Sequence, residues 1–490
     1  MSTVTAAAEA GPVTAGSWID GERVGGDVTF PVRNPYSGQV VATVSHPTPE
    51  DVERAVAQAW AVRAELAALP AHRRSSALHH VAARMRERLD EFAETITSES
   101  GKPIRWARAE VERAAATFRW AAEEAVRWSG ELQRLDSDPT SEGRLALIRR
   151  VPRGPVLGIT PFNFPLNLVA HKVAPALAVG APIVLKPAPK TPLSALLLGE
   201  LLAECDLPAG AFAVLTVANA DAAALVTEPR LPVVSFTGSV PVGWSIRDAV
   251  PRKHVALELG GNAAVLVCAD WAGEEDLAAA ARRVAVCANY QGGQSCISVQ
   301  RVFVDRSLYP RFVDLLVDAV GELAVGDPWA ELTDVGPLID DTAAQRIESW
   351  VDEAVRGGAR VLAGGTRSGT VFQPTVLTDV PAHSPVVCDE VFGPVLVVEP
   401  VDGVDDGLRR IDDSRFGLQA GVFTHDITVA FRALRELEVG GVIVGDVPTF
   451  RAEQMPYGGV KESGIGREGV RSAMEDYTEP RLMVLTGVCL

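Results

Sequence analysis

The sequence is short of positive charge. Its 46 lysine and arginine residues are outnumbered by 63 aspartate and glutamate residues, which gives a formal net charge of −17. Nucleic acids bind to basic surfaces, so this deficit argues against a nucleic-acid partner. It also argues against attachment to a membrane surface, because anionic lipids attract basic segments. We therefore expect neither kind of partner.

Long apolar runs are missing as well. No stretch approaches the roughly 20 apolar residues that a membrane-spanning helix needs. Residues 1–16 are small and polar, without the basic start and apolar centre of a signal peptide, and we expect this segment to be flexible. These features predict a cytoplasmic protein.

Cysteine is scarce and scattered. The six cysteines stand at positions 205, 268, 287, 296, 388 and 489, without a Cys-x-x-Cys pair or a Cys/His cluster. This spacing predicts no disulfide framework and no metal site. A reducing cytoplasm suits free thiols, any one of which can be reactive.

The length of 490 residues predicts two or three compact units. Between Pro155 and Gly260, short apolar runs alternate with helical patterns. The predicted strands are Pro155–Thr160, Pro182–Lys186, Ala211–Val217, Val233–Thr237 and His254–Leu259. Such alternation is typical of βαβ units and of a parallel sheet buried on both faces. Right-handed connections then give a doubly wound sheet.

A second series of strands and helices follows Gly261 and predicts a second α/β domain. Its predicted helices are Glu274–Asn289, Tyr309–Leu323, Thr342–Arg356 and Ile427–Leu437. The N-terminal third carries long helical patterns, Pro49–Leu66 and Arg73–Ser98. Gly130–Arg150 and the last ten residues alternate like edge strands and belong to neither domain.

Cys296 and Glu258 form the most informative pair of residues. Cys296 lies among small and polar residues, in the stretch QGGQSCIS (291–298), and Glu258 ends an apolar run. A thiol on such a loop can attack a carbonyl, and a carboxylate can activate the water that releases the product. Taken alone, however, a cysteine is more often a small buried hydrophobe, and Glu258 could be a strand-end charge.

Six ordered motifs decide between these interpretations. They are TPFNFP (160–165), LKP (185–187), FTGS (236–239), ELGGN (258–262), GQSC (293–296) and EVFGP (390–394). In this order and spacing the chain resembles the aldehyde dehydrogenase superfamily, from Trp18 to Gly464. The stretches 163–172 and 446–451 are most like a subgroup of lactaldehyde, non-phosphorylating glyceraldehyde-3-phosphate and phosphonoacetaldehyde dehydrogenases.

The resemblance implies covalent catalysis on Cys296. The thiol would form a thiohemiacetal and then a thioester with the aldehyde carbon. The Asn163 side chain and the Cys296 backbone N–H would stabilise the negative oxygen. Glu258 would be the general base for hydrolysis. Without the resemblance, Asn163 would be interpreted as a turn residue beside two prolines.

The same resemblance implies NAD or NADP as cofactor. Gly238 to Gly243 join a strand to a helix, where backbone N–H groups can bind a pyrophosphate, although the pattern differs from Gly-x-Gly-x-x-Gly and is weak alone. The implied cofactor-binding residues are Thr160, Phe162, Lys186, Pro189, Gly238, Ser239, Gly243, Glu390 and Phe392.

Three of these residues have particular expectations attached. Lys186 would reach the adenine-side ribose, although alone it could be a solvated lysine. Glu390, with Phe392 nearby, would hold the nicotinamide ribose. Pro189 stands where many NAD-preferring relatives carry a glutamate, and Lys190 follows it. The choice between NAD and NADP therefore stays open.

The expected substrate is a small anionic or polar aldehyde: lactaldehyde, or a phosphorylated, phosphonated or sulfonated one. Arg113 matches an arginine that grips an anion in relatives, and His171 and Arg451 would face the same pocket. Ser295 and Ile297 flank the nucleophile. Alternatively, Arg113 could pair with Glu110 on its own helix.

Two other functions remain as alternatives at this stage. A coenzyme-A-acylating semialdehyde dehydrogenase would use a thiol acceptor, but such enzymes tend to lack the general base. A non-catalytic structural or binding relative would have lost the cysteine or the base. Since both residues are present, the hydrolytic enzyme is favoured.

The expected subunit has three parts. Residues 17–129 and 151–260 would form the NAD(P)-binding domain, and 261–457 the catalytic domain. Residues 130–150 and 473–490 would form an oligomerisation element, because uncovered strand edges invite pairing. By resemblance, we expect a homodimer or homotetramer.

Overall fold

The computed structural model describes residues 13–487. Most of the predicted flexible N-terminus, residues 1–12, lies outside this range, as does Cys489. The described part, Val13–Ala15, is a strand that pairs with residues 42–44, so here the expectation of a flexible segment was wrong. Among helices of the described range, none is both long and apolar enough to cross a membrane.

The helices begin and end as follows in residues 13–487: α1 Pro49–Ala68, α2 Ala71–Glu87, α3 Leu89–Ser100, α4 Ile104–Arg127, α5 Asn167–Val179, α6 Leu193–Ala203, α7 Ala222–Thr227, α8 Val240–Ala249, α9 Glu274–Asn289, α10 Tyr309–Gly321, α11 Asp341–Arg356, α12 Pro385–Cys388, α13 Gly403–Asp412, α14 Ile427–Glu436 and α15 Val470–Asp476.

The strands are β1 Val13–Ala15, β2 Ser17–Ile19, β3 Glu22–Val24, β4 Thr29–Arg33, β5 Val40–Ser45, β6 Glu131–Arg134, β7 Arg144–Pro152, β8 Val156–Ile159, β9 Ile183–Lys186, β10 Phe212–Val214, β11 Val233–Thr237, β12 His254–Glu258, β13 Ala264–Val267, β14 Arg301–Asp305, β15 Arg360–Ala363, β16 Arg367–Ser368, β17 Val371–Phe372, β18 Thr375–Thr378, β19 Val395–Val401, β20 Phe416–Gly417, β21 Gln419–Phe423, β22 Gly441–Val444, β23 Val460–Lys461, β24 Gly464–Ile465 and β25 Thr478–Thr486.

The first large sheet has the order β24-β12-β11-β8-β9-β10-β2-β3. Strands β8 to β12 run parallel, as predicted from the βαβ pattern. From β8 the chain winds outward through β9 and β10, then crosses to β11 on the other side of β8. The winding therefore reverses between β8 and β11. In doubly wound sheets, ligands bind beyond the carboxyl ends of the strands at this reversal.

The second large sheet has the order β15-β18-β19-β14-β13-β21-β22. Its strands are parallel except for the β15–β18 pair. A separate three-stranded antiparallel sheet, β25-β7-β6, joins the two segments that the sequence left outside both domains. The predicted fold class is confirmed. The domain boundaries stay a proposal, with which the membership of these sheets agrees.

Helix α5 lies in the core of the first domain, and all thirteen of its residues are buried. Its N-terminus would leave backbone N–H groups without partners, because that end of a helix is never internally satisfied. The Glu110 carboxylate on α4 accepts from the Leu166 and Asn167 N–H groups at 2.9 and 3.0 Å, and it also pairs with buried Lys102. This contact fixes the segment that carries Asn163.

Two helix boundaries differ from the sequence-based expectation. The long pattern 73–98 is two helices, because Arg88 leaves the helical conformation with φ −108° and ψ 30°. The Arg88 side chain binds Glu91 and Glu200 there, at 2.6 and 2.9 Å. In the C-terminal element, residues 473–476 belong to α15 and not to the three-stranded sheet.

Candidate active site

Cys296 opens onto a cavity of about 390 Å³ between the two large sheets, which we call the thiol cavity. Its walls come from segments that are far apart in the chain. Among the lining residues are Arg113, Phe162, Asn163, Phe164, Gly238, Ser239, Glu258, Tyr290, Ser295, Cys296, Ile297, Arg346, Glu390, Phe392, Arg451 and Tyr457. The three predicted catalytic residues therefore share one cavity.

The loop after α9 has an unusual backbone that presents Cys296. Gln291, Gly292 and Gly293 all have φ near +60°, a conformation that favours glycine. A Cβ atom on Gly293 would overlap the carbonyl oxygen of Gly393, so only glycine allows this close approach. The Gln294 side chain secures the loop, because it accepts from the Ile339 N–H at 2.9 Å.

The Cys296 thiol is partly buried and lies 3.0 Å from the Tyr457 hydroxyl oxygen. Burial raises the pKa of the thiol to about 12, and the nearby Glu390 and Glu258 carboxylates add to this. The Tyr457 hydrogen bond and the Arg451 charge lower the pKa of the same thiol. The sulfur is thus a thiol at neutral pH and must lose a proton before it acts as a nucleophile.

Asn163 lies beside this loop, and its Nδ2 donates to the Gln294 carbonyl oxygen at 2.9 Å. An amide nitrogen carries two N–H groups, so one donor remains. The Cys296 backbone N–H donates to no other group in residues 13–487. Two donors are therefore available next to the sulfur, which is the arrangement that stabilises a negative oxygen.

Glu258 ends β12 and is buried, and its Oε2 has no hydrogen-bond partner in the described range. Burial and the neighbouring Glu468 charge raise the pKa of Glu258 well above its ordinary value. Burial acts on Glu468 in the same direction, but the charges of Lys172 and Arg451 outweigh it and lower the pKa of Glu468 to about 2. Two close carboxyl groups whose pKa values are pushed apart are typical of a site with one proton acceptor and one fixed charge.

Glu390 faces the cavity from the second domain and accepts from the Gly261 N–H at 3.1 Å. Burial raises its pKa to about 7. Phe392 follows with φ +49°, and its ring meets the Phe162 ring edge to face at 5.8 Å. The strained backbone thus places an aromatic side chain across the cavity from the segment after β8.

A second cavity of about 460 Å³, the helix cavity, continues along α8 and shares Pro161, Phe162, Thr237 and Gly238 with the thiol cavity. Thr160, Lys186 and Pro189 line it. Lys186 Nζ donates to the Asn219 side chain at 2.8 Å, and burial lowers its pKa to about 8. Its alternative interpretation as a solvated lysine is wrong.

Gly243 does not line either cavity. A Cβ atom at this position would overlap the Leu259 side chain, so Gly243 lets α8 pack closely on the residue after Glu258. The expectation of a direct cofactor contact is not met. Its role in this structure is close helix packing, like that of a glycine between a helix and a sheet.

The residues of both cavities fit a dinucleotide. Ser239 begins α8, and its side chain caps no backbone N–H group of that helix. Helix N-termini of this kind bind phosphate. Thr160 Oγ1 is buried without a hydrogen-bond partner in residues 13–487. A pyrophosphate at Ser239 would have a base on the Lys186 side and a nicotinamide on the Glu390 side.

Next to Arg113, which lines the thiol cavity, lies a buried carboxylate that sequence reasoning missed and that does not itself line the cavity. Glu453 accepts from Arg113 Nε at 2.5 Å, contacts His171 Nε2 at 2.5 Å and lies 3.4 Å from Asn167 Nδ2. These partners hold the pKa of Glu453 well below its usual range, against the effect of burial. Arg113 therefore pairs with Glu453, and the alternative interpretation, a pairing with Glu110, is wrong.

His171 lies beside Glu453. Its side chain is fully buried, and it is not among the residues that line the cavity. The expectation that it faces the substrate was wrong, because its ring binds Glu453. Burial lowers the pKa of His171, so the ring is neutral and positions the carboxylate.

Arg451 approaches the cavity from the loop after β22. Its Nη2 donates to Glu468 at 3.0 Å, and its guanidinium lies 3.9 Å from the Tyr457 ring centroid. Arg451 Nε is buried without a partner in the described part of the chain. A guanidinium group has five N–H donors, and Arg451 uses one of them for Glu468, so several donors remain for a ligand.

Sequence reasoning also missed Tyr457, Lys172, Glu468 and Arg346. Lys172 stands in the apolar helix α5. A lysine whose neighbours in a helix are all apolar and buried indicates a buried ion pair. The Lys172 Nζ donates to Glu468 at 3.0 Å. Tyr457 and Glu468 flank a glycine-rich stretch, and no pattern there marks either residue.

In residues 13–487, no three His, Cys, Asp or Glu side chains come together in a way that could hold a metal ion.

Comparison with known proteins agrees with the site. Residues 18–483 match the model of the aldehyde dehydrogenase family. The 3-sulfolactaldehyde dehydrogenase of Priestia megaterium is 43% identical over 471 residues, which cover 96% of this chain and 98% of the relative.

Two solved structures have the same fold over nearly the full length. Aldehyde dehydrogenase 21 of Physcomitrella patens, in complex with the reaction product succinate, aligns with a TM-score of 0.95 and 43% identity, covering 98% of this chain and 99% of that one. Glyceraldehyde-3-phosphate dehydrogenase GapN of Methanocaldococcus jannaschii, complexed with NADP, aligns with a TM-score of 0.89 and 35% identity, covering 94% and 100%.

Proposed function

The chain belongs to the aldehyde dehydrogenase family, and we propose that it oxidises a short aldehyde whose far end carries a sulfonate, carboxylate or phosphate group. It is an NAD(P)-dependent oxidoreductase that converts an aldehyde to the carboxylic acid. The observation that carries the proposed substrate class is that two arginines, Arg113 and Arg451, line the thiol cavity.

Arg113 and Arg451 each have one part of the guanidinium bound by a carboxylate and another part free. Arg113 uses Nε for Glu453, and its two Nη groups bind no other group in residues 13–487. Arg451 uses Nη2 for Glu468, which leaves Nε without a partner. Glu453 and Glu468 thus hold the two guanidinium groups at the thiol cavity and leave some of their N–H donors free. Guanidinium forks match the oxygens of carboxylate, sulfonate and phosphate groups.

Two relatives support this substrate class. The sulfolactaldehyde dehydrogenase is named for an aldehyde with a sulfonate, and the Physcomitrella enzyme binds succinate, a dicarboxylate. A cavity of about 390 Å³ must also hold the nicotinamide, so the aldehyde that fits beside it is short. A charged group at one end and a reacting carbon at Cys296 would give the substrate a single orientation.

The geometry of this chain supports the following catalytic roles. After the thiol proton has passed to the solvent, the Cys296 sulfur attacks the aldehyde carbon, and the Asn163 amide and Cys296 N–H stabilise the resulting oxyanion. When bound, the nicotinamide supplies the hydride acceptor that the oxidation requires. Glu258 then takes a proton from the water that hydrolyses the Cys296 thioester, which releases the acid and regenerates the thiol. Because Glu258 can accept this proton from water, coenzyme A is not needed as an acceptor.

We further propose that NADP is accepted at the helix cavity. Pro189 lines this cavity and places no charge there, so a 2′-phosphate meets no carboxylate at that position. Lys190 follows and pairs with Asp340, which caps α11 at the edge of the second domain. The archaeal relative complexed with NADP is in line with this preference.

We also propose that the chain assembles with copies of itself. The edge strand β25 carries Leu482, Met483 and Val484, which are 60, 51 and 44% exposed. A second exposed apolar face lies on α14, with Ile427, Phe431 and Leu434 at more than 60%. Unpaired strand edges and apolar faces of this kind are normally covered, and a second copy offers matching surfaces.

Glu258→Gln should allow one turnover and then stop. The glutamine cannot accept a proton, so the thioester forms but is not hydrolysed. Stopped-flow absorbance should show a burst of about one reduced cofactor per active site, followed by a near-zero rate. Glu399→Gln, which changes another carboxyl with a raised pKa outside the thiol cavity, should turn over normally. Loss of the burst would mean that Glu258 also activates the thiol.

The pH dependence of the unmodified enzyme provides a second readout. The Glu258 carboxyl is protonated below its raised pKa and cannot then accept a proton. The rate of thioester hydrolysis should therefore rise with pH through a pKa above the ordinary value of a glutamate. In Glu258→Gln this rise should be absent.

Arg113→Ala should raise the KM for an anionic aldehyde by about 10- to 100-fold, since a hydrogen bond to a charged group contributes roughly 1.5–3 kcal/mol. The KM for a neutral aldehyde of the same length should change little. Arg119→Ala on the same helix is the control, because that side chain pairs with Glu123 away from the cavity. Equal effects on both aldehydes would contradict the proposed substrate class.

Pro189→Glu should lower kcat/KM with NADP relative to NAD by about 10-fold, because the new carboxylate repels a 2′-phosphate. Pro189→Gln, which has nearly the same shape without the charge, should keep the original ratio. Initial rates with both cofactors measure the effect. An unchanged ratio in Pro189→Glu would place the selectivity elsewhere.

The double substitution Leu482→Asp and Met483→Asp should shift the chain toward a monomer, since charges would have to be buried at the contact. Sedimentation velocity or light scattering measures the mass. Leu332→Asp is the matched control, because Leu332 is 80% exposed on a loop and belongs to neither β25 nor α14. A native mass for the double variant would contradict assembly through β25.

A further inference from the structure

The Tyr457 hydroxyl is a buried polar group to which the reaction described so far gives no role. Its oxygen lies 3.0 Å from Cys296 Sγ, the atom that attacks the substrate. The residue is only 3% exposed and packs with Ile297 and Leu418. In residues 13–487 the sulfur is the only hydrogen-bond partner of this hydroxyl. Burial of a hydroxyl group without a good hydrogen-bond partner costs folding free energy, which indicates that the contact with the sulfur has a function.

The position of the ring is fixed from three sides. The Tyr457 backbone exchanges two hydrogen bonds with Glu468, at 2.9 and 2.6 Å. The Arg451 guanidinium covers one face of the ring at 3.9 Å from its centroid. The apolar side chains of Ile297 and Leu418 contact the ring as well. The hydroxyl therefore points at the sulfur without freedom to turn elsewhere.

The value of this contact depends on the charge of the sulfur. A neutral thiol is a weak hydrogen-bond acceptor, whereas a hydrogen bond to an ionised group is roughly twice as strong as one between neutral groups. The tyrosine hydroxyl gains most when the sulfur is a thiolate. The Arg451 guanidinium above the ring makes the hydroxyl a better hydrogen-bond donor, because a nearby positive charge draws electron density away from the hydroxyl oxygen.

We propose that Tyr457 is a further catalytic residue, whose hydroxyl donates a hydrogen bond to the Cys296 thiolate and holds the sulfur in position for attack. The proton that leaves the thiol does not go to Tyr457, which keeps its own. In the absence of substrate that proton goes to the solvent. The inference requires Cys296 as the nucleophile but is independent of which aldehyde is oxidised.

The other charged and titratable groups that face the sulfur act in opposite directions. Glu390 and Glu258 disfavour the thiolate, and Arg451 favours it. None of these three makes a hydrogen bond to the sulfur in the described range, so the tyrosine is the one direct donor among the side chains there. Removal of the Tyr457 hydroxyl should leave the charges of Glu390, Glu258 and Arg451 unchanged.

Tyr457→Phe tests the proposal, because it removes the hydroxyl and keeps the ring under Arg451. The measurement is the pH dependence of Cys296 alkylation by iodoacetamide in the enzyme without substrate, followed by mass spectrometry of the peptide that contains Cys296. Because the pKa of the Cys296 thiol is raised to about 12, the rates are compared at pH values below it. We expect the alkylation rate there to fall about 10-fold, which corresponds to a rise of about one unit in the pKa of the thiol. Cys388 is exposed and is alkylated in the same sample, so its unchanged rate serves as an internal reference.

Tyr309→Phe is the matched control. It also removes a hydrogen-bonded tyrosine hydroxyl, one that lies 2.7 Å from Thr378 Oγ1 in the second domain. Its Cys296 profile should equal that of the unmodified enzyme. Thermal unfolding of both variants checks that each is folded, and an intact fold with a shifted Cys296 profile supports a direct effect on the sulfur.

The kinetics supply the second test. In Tyr457→Phe the rate of the burst of reduced cofactor should fall by about the same factor as the alkylation rate, because both report attack by the sulfur. An alkylation profile identical to that of the unmodified enzyme would overturn the proposal. A shifted profile with an unchanged burst rate would overturn the catalytic role. Since alkylation needs no aldehyde, an incorrect substrate class would not affect the first result.

Discussion

The buried carboxylate of Glu468 is the contact on which the arrangement of the active site depends. One oxygen accepts from Lys172 of α5 at 3.0 Å and lies 3.3 Å from Thr237 at the end of β11. The other oxygen accepts from Arg451, and the Glu468 backbone pairs with that of Tyr457. One charge thus joins the first sheet, its central helix and the loop that covers the substrate side. Removal of a single partner would leave a buried charge uncompensated, which is strongly destabilising.

Burial of these charges explains how neighbouring carboxyl groups acquire different roles. Glu468 has two cations within reach and stays charged, whereas Glu258 has an oxygen without any hydrogen-bond partner in residues 13–487 and holds its proton more tightly. Buried ion pairs also fix the orientation of Arg113 and Arg451. Glu453 and Glu468 each bind one side of a guanidinium, which orients it and leaves other donors free. For both arginines, a fixed ion pair positions a guanidinium group that lines the thiol cavity.

Much of the fold and part of the site could be predicted from the sequence. Helix α9 and strand β11 have the bounds that their apolar patterns predict, because local periodicity reflects which face is buried. Cys296, Asn163 and Glu258 stand in short motifs whose residues are adjacent in sequence, so they could be named in advance. His171 and Gly243 could not be placed correctly, because the direction of a side chain on a helix depends on what packs against it. The Arg113 partner was also missed, since Glu453 is 340 positions away in the chain.

The sequence by itself determined the alternating strands and helices, the glycine-rich loop before Cys296, and the motifs from which Cys296 and Glu258 are proposed as nucleophile and base. These features are local, because they rest on backbone conformation and on which residues a segment must bury. Only the tertiary structure decided which side chains meet across the thiol cavity. The pairing of Arg113 with Glu453, the contact of Tyr457 with Cys296 and the different pKa shifts of Glu258 and Glu468 all depend on distance and burial, and both are set by packing between segments that the sequence keeps far apart.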